Sequence, residues 1–238
     1  MNMILVMRCR NEGVILKLTR NQLKSLILES LDIQYQIYCD MDGVIADFST
    51  GAILKMNEYL SFAADGGYIE SKSLRKKITK VLKAFGQDFR VPMGSDINAV
   101  KLLKRLKYAV VVQDPGQFFY SLPKLIDGTD MLWPFITSLG ITVNILSAPI
   151  NSTKGMPANQ GKRMWVQENL SPQPVEVVIV PAVEKQNYAV SSTGTPNILI
   201  DDKEETILEW NARGGLGILH VTGNSQQTIQ QLQLLLNS

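Results

Sequence analysis

The sequence predicts an α/β protein with a mainly parallel sheet, interrupted after its first strand by a mostly helical insertion. Three observations carry this. From about residue 129 onward, short apolar runs alternate with helical patterns, which is how a parallel sheet covered on both faces reads. Earlier, the alternating run Ile33, Tyr35, Ile37, Cys39 ends in Asp40-Met41-Asp42-Gly43-Val44 and then enters helical spacing over residues 46–60. Between them, residues 49–128 carry helical patterns and turn signals (Asp65-Gly66-Gly67, Gly86, Pro92, Gly94) but few convincing strands before Val110.

The parts follow in order. Residues 1–32 form a leader, in which Thr19 or Asn21 can cap a short helix over 22–31. Leu23, Leu26 and Ile27 give that helix an apolar side, suited to the domain's own flank or to a docking partner. Residues 33–48 begin the sheet, 49–128 read as a helical cap, and 129–238 complete the core. In that last part, helices are expected over 132–139, 161–169, 204–211 and 226–236. Strands are expected over 141–146, 175–180, 197–200 and 216–221. Two polar loops, 151–160 and 191–196, are candidate rims of a site.

Composition narrows the classes. A chain of 238 residues can bury one large core, or one core and a smaller lobe. A net charge of +2 gives no global argument for nucleic acid. Cys9 and Cys39 suggest no disulfide framework, and Cys39 reads as a small buried apolar residue. A reducing, cytoplasmic setting fits best. No apolar run approaches the ~20 residues of a membrane span. The apolar start, residues 1–7, runs straight into Arg8 and Arg10, so no signal peptide is expected.

Asp40 and Asp42 carry the chemistry. Two carboxylates two residues apart, at a strand end and before a glycine, can converge on one metal and one phosphate. The same residues also suit an ordinary capped strand-to-helix turn. Asp201-Asp202, ending the run 198–200, can ligate a metal or cap the following helix. Any one lysine is also readable as a solvated surface residue.

The stretch 40–48, Asp-Met-Asp-Gly-Val-Ile-Ala-Asp-Phe, resembles the first motif of the haloacid dehalogenase superfamily, and most closely its 5'(3')-deoxyribonucleotidase branch. Ile145-Leu146-Ser147-Ala148-Pro149 resembles the second motif, Lys185 the third motif's lysine, and Ile198-Leu199-Ile200-Asp201-Asp202 the fourth. Phe118-Phe119, Leu122-Pro123 and Gly128 also resemble that branch. The resemblance spans roughly residues 33–236 and leaves out the leader. It differs at Leu146, where the nucleotidases usually carry a second hydroxyl residue.

What the resemblance implies is a superfamily α/β core with an inserted cap and a Mg²⁺-dependent phosphomonoesterase, most like a nucleotidase. Asp40 would be the nucleophile and Asp42 the general acid and base. Ser147, Lys185 and Lys162 would hold the phosphate. Asp40, Asp42 (through its backbone carbonyl), Asp201 and Asp202 would bind Mg²⁺. Phe48 would stack a nucleobase, although its spacing also fits a core residue of the first helix. Tyr59, Phe62, Tyr68, Phe85 and Phe89 could line the same pocket.

Lys72, Arg75, Lys76, Lys77, Lys80 and Lys83 read as a solvated cationic helix face that could also steer an anionic substrate or touch a nucleic-acid backbone. His220, the only histidine, lacks a partner motif and reads as structural. The partner expected is a small nucleotide, with no membrane. The alternatives are a phosphatase for another small ester or a polynucleotide end, and a non-catalytic binding protein on the same fold.

Overall fold

A computed structural model describes residues 4–8, 15–19, 35–150 and 156–237. Near the start, β1 (Ile4–Arg8) and β2 (Ile15–Thr19) pair antiparallel as a two-stranded ribbon. The sequence reading puts no strand there. Both segments are apolar and rich in strand formers, which accounts for the pairing. The leader helix expected over 22–31 lies outside the described residues, as does Cys9.

The central sheet has five parallel strands: β3 (Gln36–Cys39), β4 (Thr142–Ser147), β5 (Val177–Ile179), β6 (Ile198–Asp201) and β7 (Leu216–Leu219). Their order is β5-β4-β3-β6-β7. Side chains alternate between the two faces. Ile37, Cys39, Val143, Ile145, Ile198 and Ile200 enter a large apolar cluster on one face. Tyr38, Leu146 and Leu199 enter a smaller one on the other, with Ile207 and Trp210. Burial on both faces is what the unbroken apolar runs in these strands anticipate.

Between β3 and β4 come α1 (Phe48–Ala64), α2 (Lys72–Phe85), α3 (Lys101–Val111), α4 (Pro115–Tyr120), a π-helical turn (Gly128–Leu132) and α5 (Trp133–Thr137). The expected insertion is thus helical, and Val110 and Val111 end a helix. After β4 follow α6 (Ala158–Asn169), a 3-10 turn (Ala182–Tyr188) beyond β5, α7 (Glu204–Ala212) between β6 and β7, and α8 (Ser225–Asn237). The large cluster runs without a break from the sheet through Met56, Leu60, Ile78 and Leu106 of the insertion. No helix among the described residues is long and apolar enough to cross a membrane.

Two features position the site. First, the chain leaves β3 for β4 and β5 on one side, then crosses to β6 and β7 on the other. This reversal opens a crevice at the carboxyl ends of the strands beside β3, where open α/β sheets bind ligands. Loop 191–196 precedes β6 and so lies at the opposite, amino end of the sheet, closed on itself by the Ser191 N–H bond to Thr195 O at 2.8 Å. It is therefore no rim of this crevice, contrary to the sequence reading. Strand direction, which the sequence does not display, decides which loops face the crevice.

Second, α6 packs on α4 with Gly161 against the Gly116 backbone. A Cβ on Gly161 would drive into the Gly116 backbone carbonyl, so α6 can approach only because the side chain is missing. Gly161→Val should cost about 2 kcal/mol by overpacking. That is a Tm loss of about 4–8 °C in a chain of this size, read by a circular dichroism melt. An unchanged Tm would show that the two helices are not locked here.

Candidate active site

Asp40 follows β3 directly, and its N–H still donates to Ile200 O at 2.8 Å, which fixes its backbone between β3 and β6. The chain then turns back. The Ala46 N–H donates to Met41 O and the Gly43 N–H to Ala46 O, both at 2.9 Å. Asp47 N–H to Pro123 O (2.8 Å) and Leu125 N–H to Ile45 O (2.9 Å) pin this loop to the insertion. Helix α1 therefore starts at Phe48 rather than 46, and Asp47 caps it by accepting from Thr50 N–H at 2.9 Å. Neither Asp40 nor Asp42 is used as that cap. Gly43 sits at φ 85°. A Cβ there would collide with the Asp202 carboxylate, so glycine lets the two acidic loops meet.

Two buried lysines organise the acids. Lys185, from the 3-10 turn, is 1% exposed. Its Nζ lies 2.7 Å from Asp201 Oδ2 and 3.0 Å from Asp40 Oδ1. Lys162, from α6, is wholly buried. Its Nζ donates to Asp42 Oδ2 at 2.6 Å, and to Ser147 Oγ and Ala148 O at 2.8 Å each. The Phe119 ring centroid lies 4.4 Å from the same ammonium. All three Lys162 donors are thus in use, and the nitrogen would meet a phosphoryl oxygen only by exchanging one of them. Both lysines lie far inside the surface that a sequence reading gives a lysine by default.

The carboxyls differ sharply. Burial alone would raise Asp40, but the ammonium groups of Lys185, Lys162 and Lys203 together outweigh it and hold the carboxyl below its ordinary range. Burial raises Asp42, opposed by Lys162 and helped by the charge of Asp40. Burial and the neighbouring Asp40 likewise raise Asp201 against the pull of Lys185. Asp202 is pushed up to about 7, first by burial and then by Asp40.

The donor set fits a hard divalent cation. One carboxylate oxygen each of Asp40, Asp201 and Asp202 lie within 4.8 Å of one another. Asp40 Oδ1 and Asp202 Oδ1 are buried without a hydrogen bond, Asp40 Oδ1 having only its ion pair with Lys185. Asp40, Asp42, Asp201 and Asp202, set against Lys162 and Lys185, leave two negative charges when all are ionised. Oxygen-only ligation by a few carboxylates suits Mg²⁺. The Asp42 side chain is not in this group; it is held by Lys162. The N-cap reading of the acidic pair is not met: α7 begins without a side-chain cap, and Asp201 instead accepts from Lys203 N–H at 2.9 Å.

The chain matches no family model and no curated protein. It does match solved structures. A haloacid dehalogenase-like family hydrolase from Xanthomonas campestris shares 13% identity at a TM-score of 0.48, over 86% of this chain and 94% of that one. A hydrolase from Streptococcus pneumoniae shares 15% at 0.44, over 87% and 100%. The putative HAD-hydrolase YfnB from Bacillus subtilis, solved with magnesium, shares 13% at 0.45, over 86% and 99%. The structural neighbours are hydrolases of the haloacid dehalogenase type.

The structure brings together Asp40, Asp42, Ser147, Lys162, Lys185, Asp201 and Asp202. Phe48 is half-buried at the start of α1, with its ring 5.4 Å from Phe118 and 6.0 Å from Phe119. Lys107 Nζ lies 5.8 Å from it. Tyr59, Phe62, Tyr68, Phe85 and Phe89 are not among the rings that meet it. Leu146 points away from Ser147 into the smaller apolar cluster, so a hydroxyl there would be buried among Tyr38, Val178 and Leu199.

Cys39 is buried and its thiol is pushed up by that burial, which makes it inert. His220 is buried and pairs through Nδ1 with Thr228 Oγ1 at 2.8 Å, a link from the end of β7 to α8. Thr222 escaped the sequence reading. Its hydroxyl donates to Gly43 O at 2.7 Å and braces the first-motif loop. No local signal aims a turn threonine at a residue 179 positions away.

Two outcomes follow. Lys185→Met leaves Asp40 and Asp201 buried without their cation, at a cost of about 3–5 kcal/mol. Its Tm should fall by roughly 10 °C, and excess Mg²⁺ should restore part of the loss; an unchanged Tm would remove the ion pair from the fold's support. The metal-free cluster holds a proton on Asp202 below about pH 7, which a bound cation must displace. Mg²⁺ affinity, read as a Tm shift, should therefore rise about tenfold between about pH 6 and pH 8. A flat profile would place Asp202 outside the metal site.

Proposed function

We propose that this protein is a Mg²⁺-dependent phosphomonoesterase of the haloacid dehalogenase superfamily that acts on nucleoside monophosphates through a covalent intermediate on Asp40. One observation carries the reading. Two neighbouring carboxyls at one crevice are driven in opposite directions, Asp40 down and Asp42 up, which is how acid and nucleophile roles are divided between paired acids.

The ionised Asp40 attacks phosphorus, and the bond to the ester oxygen breaks. Asp42 gives its proton to that departing oxygen, so the alcohol leaves neutral. Asp42, now a carboxylate, takes a proton from water. The water oxygen attacks the aspartyl-phosphate, releasing inorganic phosphate and restoring Asp40. Ser147 Oγ can donate to a phosphoryl oxygen, and Lys185 offsets the charge that develops there. Lys162 orients Asp42 and Ser147 against each other. Asp40, Asp201 and Asp202, with the Asp42 backbone carbonyl, would hold Mg²⁺, which supplies charge neutralisation at the phosphoryl group.

The nucleotide part of the reading rests on Phe48, whose ring leads a cluster with Phe118 and Phe119. Phe119 in turn covers Lys162, so this aromatic group adjoins the phosphate side of the crevice. An apolar plate there suits a base.

Asp40→Asn should reduce hydrolysis of an aryl phosphate by orders of magnitude while the Tm stays close to wild type. Turnover within about tenfold of wild type would exclude Asp40 as nucleophile. Phe48→Ala should lower kcat/KM for a nucleoside monophosphate far more than for the aryl phosphate. Equal losses accompanied by a lowered Tm would make Phe48 a packing residue.

A further inference from the structure

Residues 72–111 contain eleven Lys and Arg against two Asp and Glu, a net +9, in a chain of net +2. The remainder is thus net negative, and the positive charge is gathered on α2 and α3. Neither helix contains an acidic residue. Helical spacing lines up Lys72, Lys76, Lys80 and Lys83 on the solvent side of α2, and Lys101, Lys104, Arg105 and Tyr108 on that of α3. Among the described residues none of these cations has a carboxylate within 4.0 Å. Concentrated, unpaired charge of this kind disfavours the fold by self-repulsion and suits a polyanion.

Residues of both helices, with Tyr108 from the α3 stripe, line a cleft of about 790 Å³. Ser73 and Lys77 of α2 and Tyr108 of α3 form one wall; Pro149, Ala158 and Asn159 form part of the other. Pro149 follows Ser147 by two residues, and Ala158 lies one helical turn before Lys162, so the far wall is built from the elements that carry the site. Lys107 is held below its usual range by burial and by the charge of Lys104.

Exposed aromatic rings are interleaved with the charge. Tyr108 is 56% exposed at the cleft. Tyr68 is 71% exposed with the Arg75 guanidinium 4.9 Å from its ring centroid. Phe85 and Phe89 stack at 4.5 Å beside the end of α2. A groove that pairs cations with stacking rings matches single-stranded nucleic acid. An anionic membrane would instead favour a flat helix face with apolar side chains to insert, and the outer stripe of α2 is lysine.

We infer that the α2–α3 face and its cleft form a binding surface for single-stranded nucleic acid. Cations of the two stripes contact successive phosphates, and Tyr108 stacks a base at the cleft. The inference stands on this surface and needs no assumption about the reaction.

The test is fluorescence anisotropy of the intact protein with a labelled single-stranded oligothymidylate of about 15 nucleotides, titrated with salt. Four phosphate contacts give a slope of log K against log salt of about −3. Lys76→Glu/Lys80→Glu and Lys104→Glu/Arg105→Glu should each weaken binding at least about tenfold and flatten the slope by about 1.4. Tyr108→Ala should weaken it about tenfold with the slope unchanged. The milder Lys76→Gln/Lys80→Gln guards against misfolding of the charge reversals and should act in the same direction. Aryl-phosphate turnover, followed in parallel, should be unaffected, which separates this surface from the catalytic reading. Absent binding at low salt, affinity indifferent to all the charge variants, or tighter association with phosphatidylserine vesicles than with the oligonucleotide would overturn the inference.

Discussion

Two ammonium groups buried at the carboxyl edge of the sheet hold the site together. Unpaired, either would be untenable in that setting, and so would the acids around it. Lys185 ties the end of β3 to the end of β6 through Asp40 and Asp201. Lys162 ties the first-motif loop to the end of β4 through Asp42 and Ser147. Three parallel strands are thereby joined at their carboxyl ends by charge as well as by backbone ladders. The cations that make Asp40 a stable buried anion are also the ones that keep it ionised, which the proposed attack on phosphorus requires.

The surroundings serve this centre. Gly43 gives up a side chain so that Asp202 can approach. Gly161 gives up its side chain so that α6, which carries Lys162, can pack on the Gly116 backbone, and Gly116 in turn makes room for Met156 just before α6. Phe119 covers the fourth side of the Lys162 ammonium and passes the contact on to Phe48. Thr222, from the turn after β7, braces Gly43. Two of these, Gly43 against Asp202 and Phe119 against Lys162, bring backbone or ring directly onto a charged group. Low local dielectric strengthens every pairing inside.

Charge is distributed on two scales. In the crevice the acids are set directly against two buried lysines, and with all four acids ionised two negative charges remain, which suits a dication. On α2 and α3 charge is unbalanced and solvent-facing. A surface of that sign beside an acidic pocket can gather a polyanionic partner without disturbing the pocket, since exposed charges are screened within about 10 Å at ordinary salt.

The sequence by itself determined the order of strands and helices after residue 129 and the helical nature of the insertion. Apolar period and glycine position are local properties, so they are legible without the fold. The spacing of Asp40 and Asp42 before Gly43 was legible locally, whereas Ser147, Lys185 and Asp201-Asp202 came into view through the ordered resemblance to four family motifs. The tertiary structure decided what they do to one another. Asp47 proved to be the cap that frees its two neighbours, and Lys162 proved to hold Asp42 and Ser147 with all its donors. Loop 191–196 proved to lie at the wrong end of the sheet. Those facts depend on strand order, strand direction and burial, which join residues 15 to 179 positions apart. A pairing over such distances leaves no trace in local pattern, and burial is what turns an ordinary lysine into a fixed point of the site.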